Sequence, residues 1–225
     1  MRHLQNLVHP HIVPVLELGE GQYAGYFVMP LMEKGNLRNL LSLKQRLEPK
    51  LVVRLAYQIA SALEFAHING IIHRDVKPQN VLLDGAFQAY LSDFWLSLSM
   101  CNDALVEVAG RHIEGTLAYL SPTRASGKSE DTRGDIYSFG AVLYEMLTGC
   151  PPYQGATQYE VLFQILIGPP KPIKVRCPEA LPGLVQIAES ATARNLRERY
   201  PQMSFIMEDL NKLDREHDAV ALKSP

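Results

Sequence analysis

At 225 residues the chain is long enough to bury a full-sized core, as one large domain or two modest ones, and 47% apolar with 20% charged residues is ordinary globular composition. A formal net charge of −2 gives no basic field for nucleic acid or an acidic membrane, and Cys101, Cys150 and Cys177 form no Cys-x-x-Cys pair. Their odd count reads as reduced thiols and a cytoplasmic location. The N-terminus carries no apolar signal segment, and no stretch is expected to span a membrane.

Val8 to Val15 and Gly25 to Met29 read as apolar strands joined by a turn containing Gly19 and Gly21. Asn36 is placed to cap a short helix running through Leu43. Pro49 then opens a long helix: Leu51, Leu55, Ile59 and Leu63 recur at every fourth position, and Gly70 follows its end. Ile71-Ile72, Val81-Leu82-Leu83 and Ala89-Tyr90-Leu91 are short apolar runs that suit a small hairpin on a mainly helical body. Residues 95–122 have the weak periodicity of a long functional loop. Asp135 begins a strongly apolar helix that ends near Thr148-Gly149, with Pro151-Pro152 as a stop. Helical patterns return at 157–167, 182–193 and 201–214, and 216–225 reads as a loose polar tail.

The run His73-Arg74-Asp75-Val76-Lys77-Pro78-Gln79-Asn80 concentrates chemistry. It holds a carboxylate able to act as a base, an ammonium suited to phosphate and an amide oxygen suited to a hard cation. Asp93-Phe94 follows the second short strand. The run resembles the catalytic loop of eukaryotic-type serine/threonine protein kinases, and Asp93-Phe94-Trp95 resembles their metal-binding loop with its glycine replaced. This resemblance implies an α+β, protein-kinase-like fold over residues 1–215. Residues 1–32 would be a remnant of the N-terminal β lobe (the end of one helix and two strands) with the hinge, and 33–215 a mainly helical C-terminal lobe.

It implies ATP and Mg²⁺ as ligands and a protein Ser or Thr hydroxyl as acceptor. Asp75 would be the catalytic base, and Lys77 would place its ammonium by the transferring phosphate. Asn80 and Asp93 would hold magnesium, Arg74 would meet an anionic group on the activation loop, and His73 and Phe94 would be scaffold. Tyr26-Phe27-Val28-Met29-Pro30-Leu31-Met32 resembles the strand and hinge that hold adenine, with Met29, Pro30 and Met32 in contact and Leu82 as apolar floor. Proline keeps the carbonyl that the hinge uses. Gly115-Thr116 and Tyr119-Leu120-Ser121-Pro122 resemble the substrate-positioning segment, and Lys77 together with Thr116 points to the serine/threonine branch. Asp135-Ile136-Tyr137-Ser138-Phe139-Gly140 resembles the helix that anchors the catalytic loop, with Asp135 holding amides around His73-Arg74.

The chain also departs from the pattern. His9-Pro10-His11-Ile12-Val13 resembles the segment after the small-lobe helix, so the glutamate of that helix would fall at or before Met1. Gly19-Glu20-Gly21-Gln22-Tyr23-Ala24-Gly25 imitates a glycine-rich phosphate loop, but its last spacing is one residue too long. It lies between the later strands, and the next lysine is Lys34, past the hinge. Trp95 is expected to restrain the metal loop, where glycine's freedom is usual. Thr123 replaces a glutamate that pairs with a buried arginine, here Arg199, so that Arg199 is expected either to be wetter or to be compensated by another acid such as Glu198 or Glu145. Residues 1–225 alone are therefore expected to transfer phosphate poorly; a pseudokinase, a binding module or a fragment of a longer kinase is the alternative. Open edges at 11–17 or 25–30 and apolar Leu4 and Leu7 favour self-association or a covering partner.

Overall fold

The computed structural model describes residues 7–20, 25–44, 46–94 and 117–221. Two short ribbons accompany a helical body. Strands β1 (Glu17–Glu20) and β2 (Gly25–Val28) pair antiparallel, with Glu17 opposite Val28. Strands β3 (Val81–Leu83) and β4 (Ala89–Leu91) form the second ribbon, with Val81 opposite Leu91. The first strand is displaced from the expected Val8–Val15. There the chain makes one bridge, Ile12 to Leu91, supported by Val13 N–H donating to Leu91 O at 3.0 Å and Leu91 N–H to His11 O at 2.8 Å. Pro10 and Pro14 have no N–H for a longer ladder, so regular pairing waits until Glu17. Leu7, expected on an open face, is buried with Ile12 in the core.

Helix α1 (Leu37–Lys44) starts from a reciprocal cap: Asn36 Oδ1 accepts from Asn39 N–H at 3.0 Å, and Asn39 Oδ1 accepts from Asn36 N–H at 3.1 Å. Helix α2 (Pro49–Ile68) has Pro49 in its first turn and buries Val52, Leu55, Ala56, Ile59, Leu63 and Ala66. By length and composition α2 could cross a membrane, against expectation, but its apolar side packs on the helices Arg133–Thr148 and Met203–Ala221.

After α3 (Pro122–Ala125), helix α4 (Arg133–Thr148) begins two residues before Asp135 and is buried from Gly134 to Thr148. It ends at Gly149, whose φ of 78° lets its N–H return to Glu145 O at 2.8 Å. Helix α5 (Gln158–Ile167) is capped by Thr157 Oγ1, which accepts from Glu160 N–H at 3.2 Å. Helices α6 (Ile173–Arg176), α7 (Pro182–Ala191) and α8 (Met203–Ala221) complete the body. The expected loose tail is thus helical as far as Ala221. Neither glycine nor proline interrupts the sequence between Pro201 and Pro225, so nothing local stops the helix at 214.

The body is built around α4, which packs on α2 and α7. Its approach to α7 is closest at Gly140, where a Cβ would lie 2.7 Å from Ala191 Cβ and 3.1 Å from the Ala191 backbone carbon. Backbone cannot swing aside, so Gly140→Ala is expected to force the two helices apart and cost about 1–3 kcal/mol. Thermal denaturation monitored by circular dichroism would measure the loss.

Candidate active site

Antiparallel pairing of β3 and β4 brings the start of one beside the end of the other, and so brings Asn80 beside Ser92-Asp93. Ser92 donates its N–H to the Asn80 carbonyl at 2.9 Å, and its single hydroxyl proton is shared between that carbonyl, at 3.1 Å, and Asp93 Oδ2, at 3.0 Å. Ahead of β3, a 3-10 turn over Pro78–Asn80 folds the chain back on Asp75. The Asn80 amide nitrogen donates to Asp75 O at 2.8 Å and to Asp75 Oδ2 at 2.9 Å, and Lys77 Nζ meets the same Oδ2 at 2.7 Å. Both contacts fall on Oδ2, and among the described residues none is made by Oδ1.

His73 and Asp135 hold this loop from below. The His73 ring is buried; its Nδ1 accepts from Asp75 N–H at 3.2 Å, so Nε2 carries the proton and donates to Ser92 O at 2.7 Å. Phe94 closes edge-on against that ring, centroids 4.6 Å apart. Asp135 Oδ2 accepts from His73 N–H at 2.7 Å and faces His67 Nε2 at 2.9 Å, while Oδ1 accepts from Arg74 N–H at 2.8 Å. Arg74 adopts φ 67°, a conformation costly for a residue with a Cβ. It persists because both its peptide groups are pinned: the N–H by Asp135 and the carbonyl by the Arg124 guanidinium. Asp93 shows φ 68°, which a short acidic side chain tolerates better. Neither left-handed residue was visible in the sequence.

The residues suit the ligands expected of them. Asn80 spends its nitrogen on Asp75 and offers an amide oxygen; Asp93 uses Oδ2 to accept from Ser92 Oγ at 3.0 Å and retains a second carboxylate oxygen. Both are oxygen donors, the type that a hard divalent cation takes. At the hinge, Met29, Pro30 and Met32 are half-buried and Leu31 is 90% exposed. Just beyond it the chain is laced to β3 by Lys34 N–H to Leu83 O at 3.1 Å and Leu83 N–H to Gly35 O at 2.9 Å. In β3, Val81 and Leu83 face the core and half-buried Leu82 faces the other way, as an apolar floor would. Thr116 and Trp95, with the roles expected of them, lie outside the described residues.

Two ion pairs, one half-buried and one fully buried, escaped sequence reasoning. Arg38 binds Glu145 through both carboxylate oxygens, each at 2.7 Å, and donates to Tyr119, whose hydroxyl donates to Glu145 at 2.6 Å. Burial, reinforced by Glu145, pushes the Tyr119 hydroxyl far above its ordinary range and keeps it a donor. Arg199 pairs with neither Glu198 nor Glu145. It meets Glu130 at 2.7 Å, with side-chain exposures of 0% and 1%, so Arg199 is not wetter: another acid does compensate, and it is Glu130. The signal was absent because the pair spans 69 positions and follows no local pattern.

Burial alone would raise the Asp135 carboxyl, but the His67 hydrogen bond, the neighbouring histidines and the Arg74 amide hold it below its ordinary 3.8. Its contribution to stability is therefore complete above that pH and is lost as the pH falls further. Asp135→Asn is expected to flatten this acid-side slope and, by breaking a buried charged contact, to cost about 3–5 kcal/mol at neutral pH. Urea denaturation carried from neutral into acid solution would measure both.

The sequence matches the protein kinase domain family over residues 1–206. It is 34% identical over 216 residues to the probable serine/threonine-protein kinase CPE1738 of Clostridium perfringens, covering 95% of this chain and 31% of the relative. Against the serine/threonine-protein kinase PknB of Mycobacterium tuberculosis it is 35% identical over 208 residues, covering 91% and 33%. Against PknD of the same organism it is 36% identical over 195 residues, covering 86% and 29%. The chain thus spans about a third of the length of these curated relatives. With a matching loop, anchor helix and hinge, it belongs to the protein kinase family.

Proposed function

We propose that the chain carries the catalytic face of a serine/threonine protein kinase, which transfers the γ-phosphate of ATP to a protein hydroxyl. The observation that carries this reading is the Asp75 cluster: one carboxylate oxygen is held by Lys77 and Asn80 at 2.7 and 2.9 Å, and among the described residues the other has no contact and would take the acceptor. In this reading Asp75 orients the hydroxyl and takes its proton. Lys77 draws transferring charge towards the same point. Asn80 and Asp93 would hold Mg²⁺, which supplies neutralisation of phosphate charge when bound. Met29, Pro30 and Met32 would line the adenine pocket over Leu82. Arg74, through its side chain, would meet an anionic group of the activation loop, and Thr116 would sit beside the base.

Residues 1–225 have no lysine between Met1 and the hinge, so this piece by itself is proposed to bind ATP weakly and turn over slowly. Tyr26, Phe27 and Val28 of β2 are 48%, 38% and 38% exposed, which supports self-association or a covering partner. The cytoplasm, where ATP and reduced thiols coexist, is the proposed location.

Asp75→Asn is expected to lower kcat by about 10²–10⁴-fold while leaving ATP affinity unchanged, since it removes only the base. Transfer of labelled phosphate, measured beside fluorescent-nucleotide binding, would check this. Full activity in the variant would refute the assignment.

A further inference from the structure

Glu130 lies in the connection between α3 and α4, and its two oxygens face different partners. Oε1 meets Arg199 at 2.7 Å, and Oε2 accepts from Ser121 Oγ. Arg199 is fixed on every side: it donates to Arg133 O at 2.8 Å and to Ala193 O at 2.9 and 3.0 Å, and its guanidinium sits 5.0 Å from the Tyr137 ring centroid. Ser121 in turn caps α3 by accepting from Arg124 N–H at 3.2 Å. The Arg124 guanidinium donates to the carbonyl of Arg74, the residue before Asp75. A bonded path therefore runs from a rigid buried arginine to the catalytic loop.

Thr123 takes no part in that path. It is half-exposed, and only its backbone is engaged, accepting from Ser126 Oγ at 2.7 Å and Lys128 N–H at 3.2 Å. A carboxylate that served stability alone would need Arg199 and nothing more. The second arm, through Ser121, ends on the segment from Leu117 to Ala125, which also packs against α4 and α5.

We propose that Glu130 is a positioning residue for the protein substrate: through Ser121 and Arg124 it fixes segment 117–125 against the catalytic loop, standing in for a carboxylate at position 123. The identity of the substrate rests on the kinase reading; the coupling does not.

Amide hydrogen exchange on the full chain tests the coupling without any phosphotransfer. Glu130→Gln is expected to speed exchange about tenfold in 117–125 and in 73–76, with the core amides of α2 unchanged. Adding Thr123→Glu to that variant is expected to bring both segments back to within about twofold of the parent. Where Glu130→Gln fails to fold, Ser121→Ala decides, because it cuts the path while leaving the buried pair intact; the same local increase is expected. Unchanged exchange, or an increase shared by α2, overturns the proposal, and failure of Thr123→Glu to restore overturns the equivalence of the two positions. In phosphotransfer, the variant is expected to raise KM for the protein substrate about fivefold and leave KM for ATP alone. A rise shared by ATP overturns the assignment to substrate, whereas absence of any turnover in the parent counts against the kinase reading only.

Discussion

The Asp135 carboxylate, buried in the middle of the fold, is what the candidate site hangs from. Its two oxygens receive the amides of His73 and Arg74 and the ring of His67, so a charge on α4 fixes the backbone of a loop more than sixty residues earlier. Once those amides are taken, Arg74 must turn left-handed, His73 must point its ring at Ser92, and Asp75 emerges with its side chain towards Lys77 and Asn80. The chemistry of the loop is inherited from a helix that carries none of it.

Helix α4 repeats this device. Glu145, also on α4, grips Arg38 of α1 and Tyr119, and Glu130, just ahead of the helix, grips Arg199 near the start of α8. Burying so many charges costs much of what their pairing returns, so their value lies in placement: an apolar interface tolerates a slip, whereas an unpartnered buried carboxylate does not. The leucines and valines around α2 supply cohesion, and the carboxylates determine which surfaces meet and in what register.

Much of this was legible locally. The Asn36 cap, the opening at Pro49, the stop at Gly149 and the hairpin at 81–91 each depend on residues within one or two turns of chain. The cluster from His73 to Asn80 was legible because its chemistry is packed into eight positions. What could not be read depends on distance. Arg38 and Glu145 are 107 residues apart, and Arg199 found its acid at Glu130, a position that no spacing argument singles out. The misplaced first strand has a different cause: apolarity between Val8 and Val15 reflects burial of Ile12 and Val13, while the prolines deny the same segment a ladder. The last helix outruns its expected end at 214 because a polar stretch without a breaker can stay helical.

The β3–β4 ribbon divides the tolerance of this region to change. Asn80 and Asp93 leave from its open end, and the turn at 84–88 closes the other, held by Asp84 Oδ1 accepting from Ala86 and Gln88 N–H at 2.9 and 2.8 Å. Lengthening that turn moves neither candidate ligand, since the strands between them keep their pairing. A single residue inserted into β3 would exchange its two faces, sending Leu82 into the core and Val81 and Leu83 out of it, and one inserted into either strand would slide Asn80 away from Ser92. Drift in length among descendants of this sequence should therefore gather at the closed end of the ribbon, and the three-residue strands should keep their length even where their side chains change.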